Sequence, residues 1–486
     1  MYIQYVYTVR VMKKKVLLLN PPSGLYRRDD RCQSRVEEQT VNIIFPPMDL
    51  AYLAAIARNT GAEPRIEDYP ATGKSWEDLK ILLQSFSPDY LAISTTTATI
   101  RDDLRAASIA RDVSPACLTF AKGEYVSMLG KSLLQEYPSL DAIFTGEAEL
   151  ALEEILRGQK LEQIKGLHFR KKSGDREEYI VTEKRPPLED LDSLPFPARD
   201  LLNNSLYLSP ETGNPLTVIQ ASRGCPAHCI FCPAGALSDY KLHVRSPQNI
   251  IEELKECVER YHIREFLFHG DTFTMKKSWV LELCDLICQN HLSIRWGCNS
   301  RVDTFDLERG QALKKAGCWV VAFGVESGVP DLLAKMKKNT TLDQARQAIN
   351  AAKVAGLSTH AFYIIGLPWE TRETLAMTLQ FARELNTDFF DFNIAYPLPG
   401  TELYETASRE GLFDPGSLEK GSYGKAAMRS YALSSEELTR WRKKALLKLY
   451  LRPGYILKTL GRVMTRPRVF INYIREGLRR FKSLVR

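Results

Sequence analysis

Three cysteines, Cys225, Cys229 and Cys232, fall inside the run 222–233 (SRGCPAHCIFCP), spaced Cys-x3-Cys-x2-Cys. Thiolates this close can hold three corners of a [4Fe–4S] cluster and leave the fourth iron without a protein ligand. An iron left open in this way can bind and reduce a substrate. Gly224 lets the chain turn into the loop, and Pro226 and Pro233 restrict it further. A zinc knuckle is the plainer alternative. Structural zinc takes four ligands, often as two separated pairs. The chain has no second Cys-x2-Cys pair, and His228 lies inside the loop, poorly placed to close a tetrahedron. The cluster is the stronger reading.

The segments around the triplet must position it. The apolar run Leu216–Ser222 leads into the cysteine loop, and five more such runs follow, each with a polar exit. Arg264–His269 exits at Gly270, Asp271 and Thr272, and Ile294–Cys298 at Asn299, Ser300 and Arg301. Trp319–Gly324 exits at Val325 and Glu326, Thr359–Ile365 at Gly366, and Phe389–Ala395 at Tyr396. Six strand-plus-loop units predict a partial TIM barrel with its function at the strand carboxyl ends. A lone carboxylate after a strand is more often a helix N-cap. As a set downstream of the triplet, these exits suit a polar cofactor lying across the strand tops.

The first third of the chain has the same rhythm. Strands are expected at Val16–Leu19, Glu63–Glu67, Tyr90–Ser94 and Cys117–Ala121, alternating with helices that include Trp76–Phe86 and Arg101–Asp112. Such alternation predicts an α/β, doubly wound parallel sheet of Rossmann type over residues 1–155. Its ligand face should lie where the loops containing Pro21-Pro22, Thr95–Thr97 and Gly146 fall. Residues 156–215, rich in Pro and charge, read as a β-hairpin and linker, 216–420 as the barrel, and 421–486 as a basic helical extension.

Bulk composition is ordinary for a globular protein of two or three domains: 486 residues, 44% hydrophobic and 26% charged. Ten cysteines, three of them clustered, point to a reducing compartment rather than a disulfide scaffold. The N-terminus lacks a signal-peptide pattern, and no stretch of about 18 apolar residues exists to span a bilayer. A cytoplasmic location is expected. The net charge of +7 hides an asymmetry: residues 440–486 carry fifteen Lys and Arg against Glu476 alone.

With Phe231 before its third cysteine, the triplet resembles the signature of the radical S-adenosylmethionine (SAM) enzymes. Residues 13–155 resemble the cobalamin-binding domain attached to many of them, through the Asn20-Pro21-Pro22 loop, the helix from Pro46, the Ser94–Thr97 loop and the stretch Thr145–Glu149. The run Lys448–Lys458 is similar to the tail of the hopanoid and tetrapyrrole branch. The resemblance implies a [4Fe–4S] cluster on Cys225, Cys229 and Cys232, and SAM contacts from Phe231, Asp271, Asn299, Arg301, Glu326, Ile365 and Gly366. It also implies cobalamin held near Asn20, Pro21, Pro22, Ser94, Thr95, Thr96, Gly123, Glu124, Gly146 and Glu147. Where the family often has Gly-Gly-x-His, this chain has Lys122-Gly123-Glu124-Tyr125, and a lysine there would crowd a corrin.

The implied activity is reductive cleavage of SAM to methionine and a 5′-deoxyadenosyl radical that attacks an unactivated carbon. C-methylation of a hydrophobic, lipid or tetrapyrrole-like small molecule is the leading outcome; cyclisation, oxidation or rearrangement without methyl transfer is the other. A flavodoxin- or ferredoxin-type electron donor is implied as partner. A tRNA methylthiotransferase-like enzyme is disfavoured, because that family has three N-terminal cysteines and only Cys32 and Cys117 stand here. A metal-stabilised binding protein is the non-enzymatic alternative. In the tail, Phe470, Ile474, Leu478, Phe481 and Val485 form one apolar stripe beside basic residues. That pattern suits peripheral contact with an anionic membrane face, a lid over the barrel, or RNA, in that order. Cys284 and Cys288 share an apolar helix face and read as structural, while Cys298 and Cys318 stand isolated in the sequence.

Overall fold

A computed structural model describes residues 13–26, 28, 35, 36, 43–173, 176–463 and 472. The first sheet holds β1 (Lys15–Asn20), β2 (Glu63–Asp68), β3 (Tyr90–Ser94), β4 (Leu118–Lys122), β5 (Ala142–Phe144), β6 (Leu167–Ser173) and β7 (Arg176–Val181), in the order 2-1-3-4-5-6-7. Strands β1 to β5 are parallel. Alternation along them serves both faces: Val16, Leu18 and Phe120 point into one apolar core, Leu17, Leu19, Leu91 and Ile93 into another. A parallel sheet covered on both sides needs this near-continuous apolar character. Strand order reverses between β1 and β3, the switch point at which such sheets open a ligand crevice.

The hairpin expected inside the linker extends this sheet instead. β6 pairs antiparallel with β5, and β7 with β6, so the sheet runs to Val181. The three-residue β5 is too short to end a sheet well, and the hairpin covers its edge.

The second sheet is the expected partial barrel: β8 (Leu216–Gln220), β11 (Glu265–His269), β12 (Arg295–Arg301), β13 (Cys318–Glu326), β14 (Ser358–Ile365) and β15 (Phe389–Ile394), all parallel in chain order. A two-residue ladder, β9 (Ser222–Arg223) with β10 (His243–Val244), braces the root of the cysteine loop. One parity of each barrel strand is fully buried against the helices, among them Phe268, Trp296, Phe323, Tyr363 and Phe392. The other parity faces the lumen.

β15 is an edge, and its free side is covered by the chain's C-terminal helices. Arg442 and Tyr450 of the helix Ser435–Tyr450 donate to the carbonyls of Phe392 and Phe390 (2.5 and 3.0 Å), and Tyr455 of the next helix donates to that of Asp388 (2.9 Å). Leu438, Ala445, Leu446 and Leu449 join the barrel core from the same helix. This part of the basic extension is therefore a structural cover. The apolar stripe from Phe470 to Val485 lies outside the described residues. No helix among the described residues is long and apolar enough to cross a membrane.

A buried ion cluster anchors the linker to the barrel. Arg199, in the linker, donates to Glu253 (2.5 Å) and to the Val218 carbonyl (2.8 Å), and Arg245 pairs with the other oxygen of Glu253. Glu253 is fully buried, and burial raises its pKa less than the two guanidiniums lower it.

Candidate functional site

The cysteine loop leaves β9 through Gly224, whose φ of +88° only glycine adopts freely. A Cβ here would lie 2.1 Å from the Lys241 carbonyl. Asp271, at the exit of β11, accepts the Gly224 N–H (2.6 Å), and the Thr272 hydroxyl lies 3.4 Å from the Cys225 sulfur. The carboxylate expected among the SAM contacts thus also fixes the loop. All three thiols are half-buried. His228 is stacked on Tyr240, ring centroids 3.9 Å apart, and packs as an aromatic. Phe231 packs on the apolar cluster of Ile230, Leu332, Met336 and Leu367.

Two cations act on Cys229. Burial pushes the Cys229 thiol above its ordinary value, while Lys338 and Arg301 pull it down. Lys338, absent from the expected set, is itself buried and pairs with Glu326 (2.7 Å). Glu326 adopts φ +67°, and the pair folds over Gly324, where a Cβ would stand 2.4 Å from the carboxylate and 2.8 Å from the ammonium. A left-handed glutamate costs of the order of 1 kcal/mol or more, and such strain clusters at functional sites. Arg301 is held by both oxygens of Asp303 (2.9 and 2.8 Å) and by the Lys338 carbonyl (2.9 Å). Asn299 shares its parity and the lumen face.

The donor set fits a cluster. Three thiolates bring three negative charges, and Lys338 and Arg301, each paired with a carboxylate, temper the charge at Cys229. Among the described residues no three His, Cys, Asp or Glu side chains gather as around a single ion. Thiolates that each bind a different iron need not converge on one point.

Ile365 offers its main chain rather than its side chain to the lumen. Its side chain is fully buried on the helix side of β14, so strand parity leaves only its main chain for the lumen. Gly366 (φ +79°) is closed over by Leu438 and Ile394. Its N–H supports Glu370, whose carboxyl burial pushes up to about 7. Inside the lumen His360 bonds Asp391 (3.0 Å) between the rings of Phe362 and Phe389, and Asp391 Oδ1 is buried without a partner.

A cleft of about 250 Å³ opens between the first sheet and the barrel, lined among others by Asn20, Gly123, Gly146, Glu147, Gly224 and Asp271. Three buried polar atoms on its wall, Asn20 Oδ1, Ser222 Oγ and His243 Nε2, have no protein partner. Orphans of this kind call for a polar ligand, which fits a corrin with its ring of amides. Lys122 pairs with Asp49 at the start of the helix Met48–Asn59, along the wall of the cleft. Of the other expected cobalamin contacts, Ser94, Thr95 and Thr96 lie directly behind the cleft-lining residues Arg28, Lys122 and Gly123. They are buried under Arg28, which donates to the Ser94 carbonyl (2.8 Å); the Thr95 hydroxyl donates to the Lys122 carbonyl (2.9 Å), and the Thr96 N–H to Asp103 (3.1 Å). Pro21 is buried and Pro22 half-buried, and neither is in the cleft lining. The Glu124 side chain lies outside the described residues.

Cys298 and Cys318, isolated in sequence, meet across β12 and β13 with Cys284 beside them, and burial raises the Cys284 and Cys298 thiols well above their ordinary value. Neutral thiols in a core are inert.

Comparison with known proteins agrees with this geometry. The profile of the radical SAM superfamily matches residues 219–382. An uncharacterized methyltransferase of Pyrococcus horikoshii is 32% identical over 92% of this chain and 94% of its own. The anaerobic magnesium-protoporphyrin IX monomethyl ester cyclase of Rubrivivax gelatinosus is 27% identical over 81% and 72%. Among solved structures, the radical SAM methyltransferase TsrM of Kitasatospora setae, with cobalamin and a [4Fe–4S] cluster bound, superposes with a TM-score of 0.65 at 16% identity, over 82% of this chain and 75% of that one.

Proposed function

The chain belongs to the radical SAM superfamily, and from that premise we propose a cobalamin-dependent enzyme that methylates an unactivated carbon of a hydrophobic small molecule. The observation that carries the proposal is a cysteine triplet whose loop is rooted, at Arg223 and Gly224, in the wall of a cleft shared with a Rossmann-type sheet. When bound, the cluster supplies the electron that cleaves SAM and cobalamin supplies a methyl carrier.

The residues have separable tasks. Cys225, Cys229 and Cys232 would hold three irons, with Lys338 and Arg301 tempering the charge at Cys229. Asn299, Arg301 and Glu326, at the exits of β12 and β13, would orient the polar end of SAM, with the main chain at Ile365 and Gly366 beside them. Asn20, Gly123 and Gly146 would line the corrin. The aromatic lumen around Phe362 and Phe389 supports an apolar substrate, and Asp391 Oδ1 supports one that carries a hydrogen-bond donor. Ring closure without methyl transfer is the second reading, supported by the likeness to the cyclase. A one-electron donor of flavodoxin or ferredoxin type completes the scheme.

Anaerobic reconstitution with iron, sulfide and hydroxocobalamin tests it. The wild type should bind all three and release 5′-deoxyadenosine or S-adenosylhomocysteine from SAM, and Cys229→Ala should lose iron and both products. Equal products from Cys229→Ala, or zinc in place of iron, would sink the proposal. Bound iron without cobalamin would remove its methyl-transfer part.

A further inference from the structure

Arg223 belongs to both walls of the cleft. Its backbone, in β9, lies two residues before Cys225 and pairs with His243. Its side chain, 15% exposed, reaches across to the first sheet. One terminal nitrogen donates to Glu147 (2.9 Å), and the other to Glu149 (2.6 Å) and Gln220 (3.0 Å). Both glutamates lie just beyond β5, next to Gly146 on the cleft wall. Glu147 is tied further to the linker, accepting the Leu188 N–H (2.6 Å). On the other side Gly224, adjacent to Arg223, is held by Asp271 (2.6 Å), whose neighbour Thr272 touches Cys225. A continuous bonded path thus runs from the loop beyond β5 to the first cluster thiol.

We propose that Arg223 is a positioning residue that couples filling of the cleft by a corrin to iron binding in the cysteine loop; this rests on the cofactor assignment above. A guanidinium shared by two carboxylates and largely out of water cannot leave one of them cheaply, because it would strand a buried charge. A shift of residues 145–149 to admit a macrocycle therefore carries Arg223, and with it Gly224 and Cys225. Conversely, iron on the three thiols fixes the loop and pre-orders the wall that a corrin must meet. Such coupling is reciprocal, so each ligand must raise the other's affinity by the same factor.

The test is a titration of hydroxocobalamin into the full chain with and without a reconstituted cluster, in wild type, Arg223→Gln and Arg223→Lys. The wild type should bind about tenfold more tightly with the cluster present, inside the range usual for coupled sites. The ratio should fall towards one in Arg223→Gln and recover in part in Arg223→Lys. Iron per chain should still assemble, since the thiols remain. A ratio of one in wild type, or an unchanged ratio in Arg223→Gln, overturns the coupling. Failure of wild type to bind hydroxocobalamin in either state overturns the cofactor assignment itself, and the coupling falls with it. Should Arg223→Gln misfold, Glu149→Gln leaves the arginine in place and should lower the ratio by a smaller factor; an unchanged ratio there is equally fatal.

Discussion

The carboxyl ends of the first sheet and of the barrel carry the same kinds of residue, yet they hold them differently. Beyond β3, Ser94 to Thr97 turn inward, and Asp103, Arg28 and the Lys122 carbonyl take up the hydroxyls and amides there. Beyond β12 and β13, Arg301, Glu326 and Lys338 are also paired, but the cations press on a thiol of another loop. Both sets are paired one cation to one carboxylate; what differs is that the second set also lies beside the thiol of Cys229. A polar strand exit therefore marks the side of a sheet where binding can occur, and the partners decide whether it does.

Changing one cation on each face breaks or sharpens the contrast. Lys338→Met strands the buried Glu326 carboxylate beside the thiols, an expected loss of about 3–5 kcal/mol, together with lower iron retention after reconstitution. Arg28→Met leaves Asp103 its bonds from Thr96 N–H and the Thr99 hydroxyl, so about 2 kcal/mol is expected, with iron per chain unchanged. Equal iron loss in the two variants would erase the distinction.

Between these in size lies Glu370. Its folded carboxyl titrates at about 7 because it is buried, against about 4.5 when unfolded. As pH rises from 4.5 to 7 the unfolded chain releases this proton first, so stability falls across that window by about 3 kcal/mol. Glu370→Gln should remove that part of the slope, raising the urea midpoint at pH 8 relative to pH 5; matching slopes in the two proteins would refute it. The smallest change is Thr95→Val, which removes one hydroxyl bond. It should cost about 1 kcal/mol and leave hydroxocobalamin binding as in wild type; a large loss of binding would restore Thr95 to the corrin site.

What the sequence disclosed follows the same line. Strand runs such as Tyr90–Ser94 and the Cys-x3-Cys-x2-Cys loop are local signals, and the structure repeats them within a residue or two. Lys338 was invisible because it sits in a run, Lys335 to Lys338, that reads as a solvated face. The motif that names Ile365 does not say which face its side chain takes; strand parity assigns that. The meeting of Cys298 with Cys318 depends on the register between two strands, which no single segment encodes.

The cover over β15 has a wider consequence. Its donors meet the carbonyls of residues 388, 390 and 392, every second residue, as the amides of another strand would. The barrel thus ends in a strand made of side chains, supplied by two helices far along the chain. A protein shortened to end before Ser435 would expose that row of acceptors with the aromatic residues beneath it. Such an edge invites a second copy to add its own strand. The C-terminal helices thus finish the free edge of an unclosed barrel while leaving its mouth open.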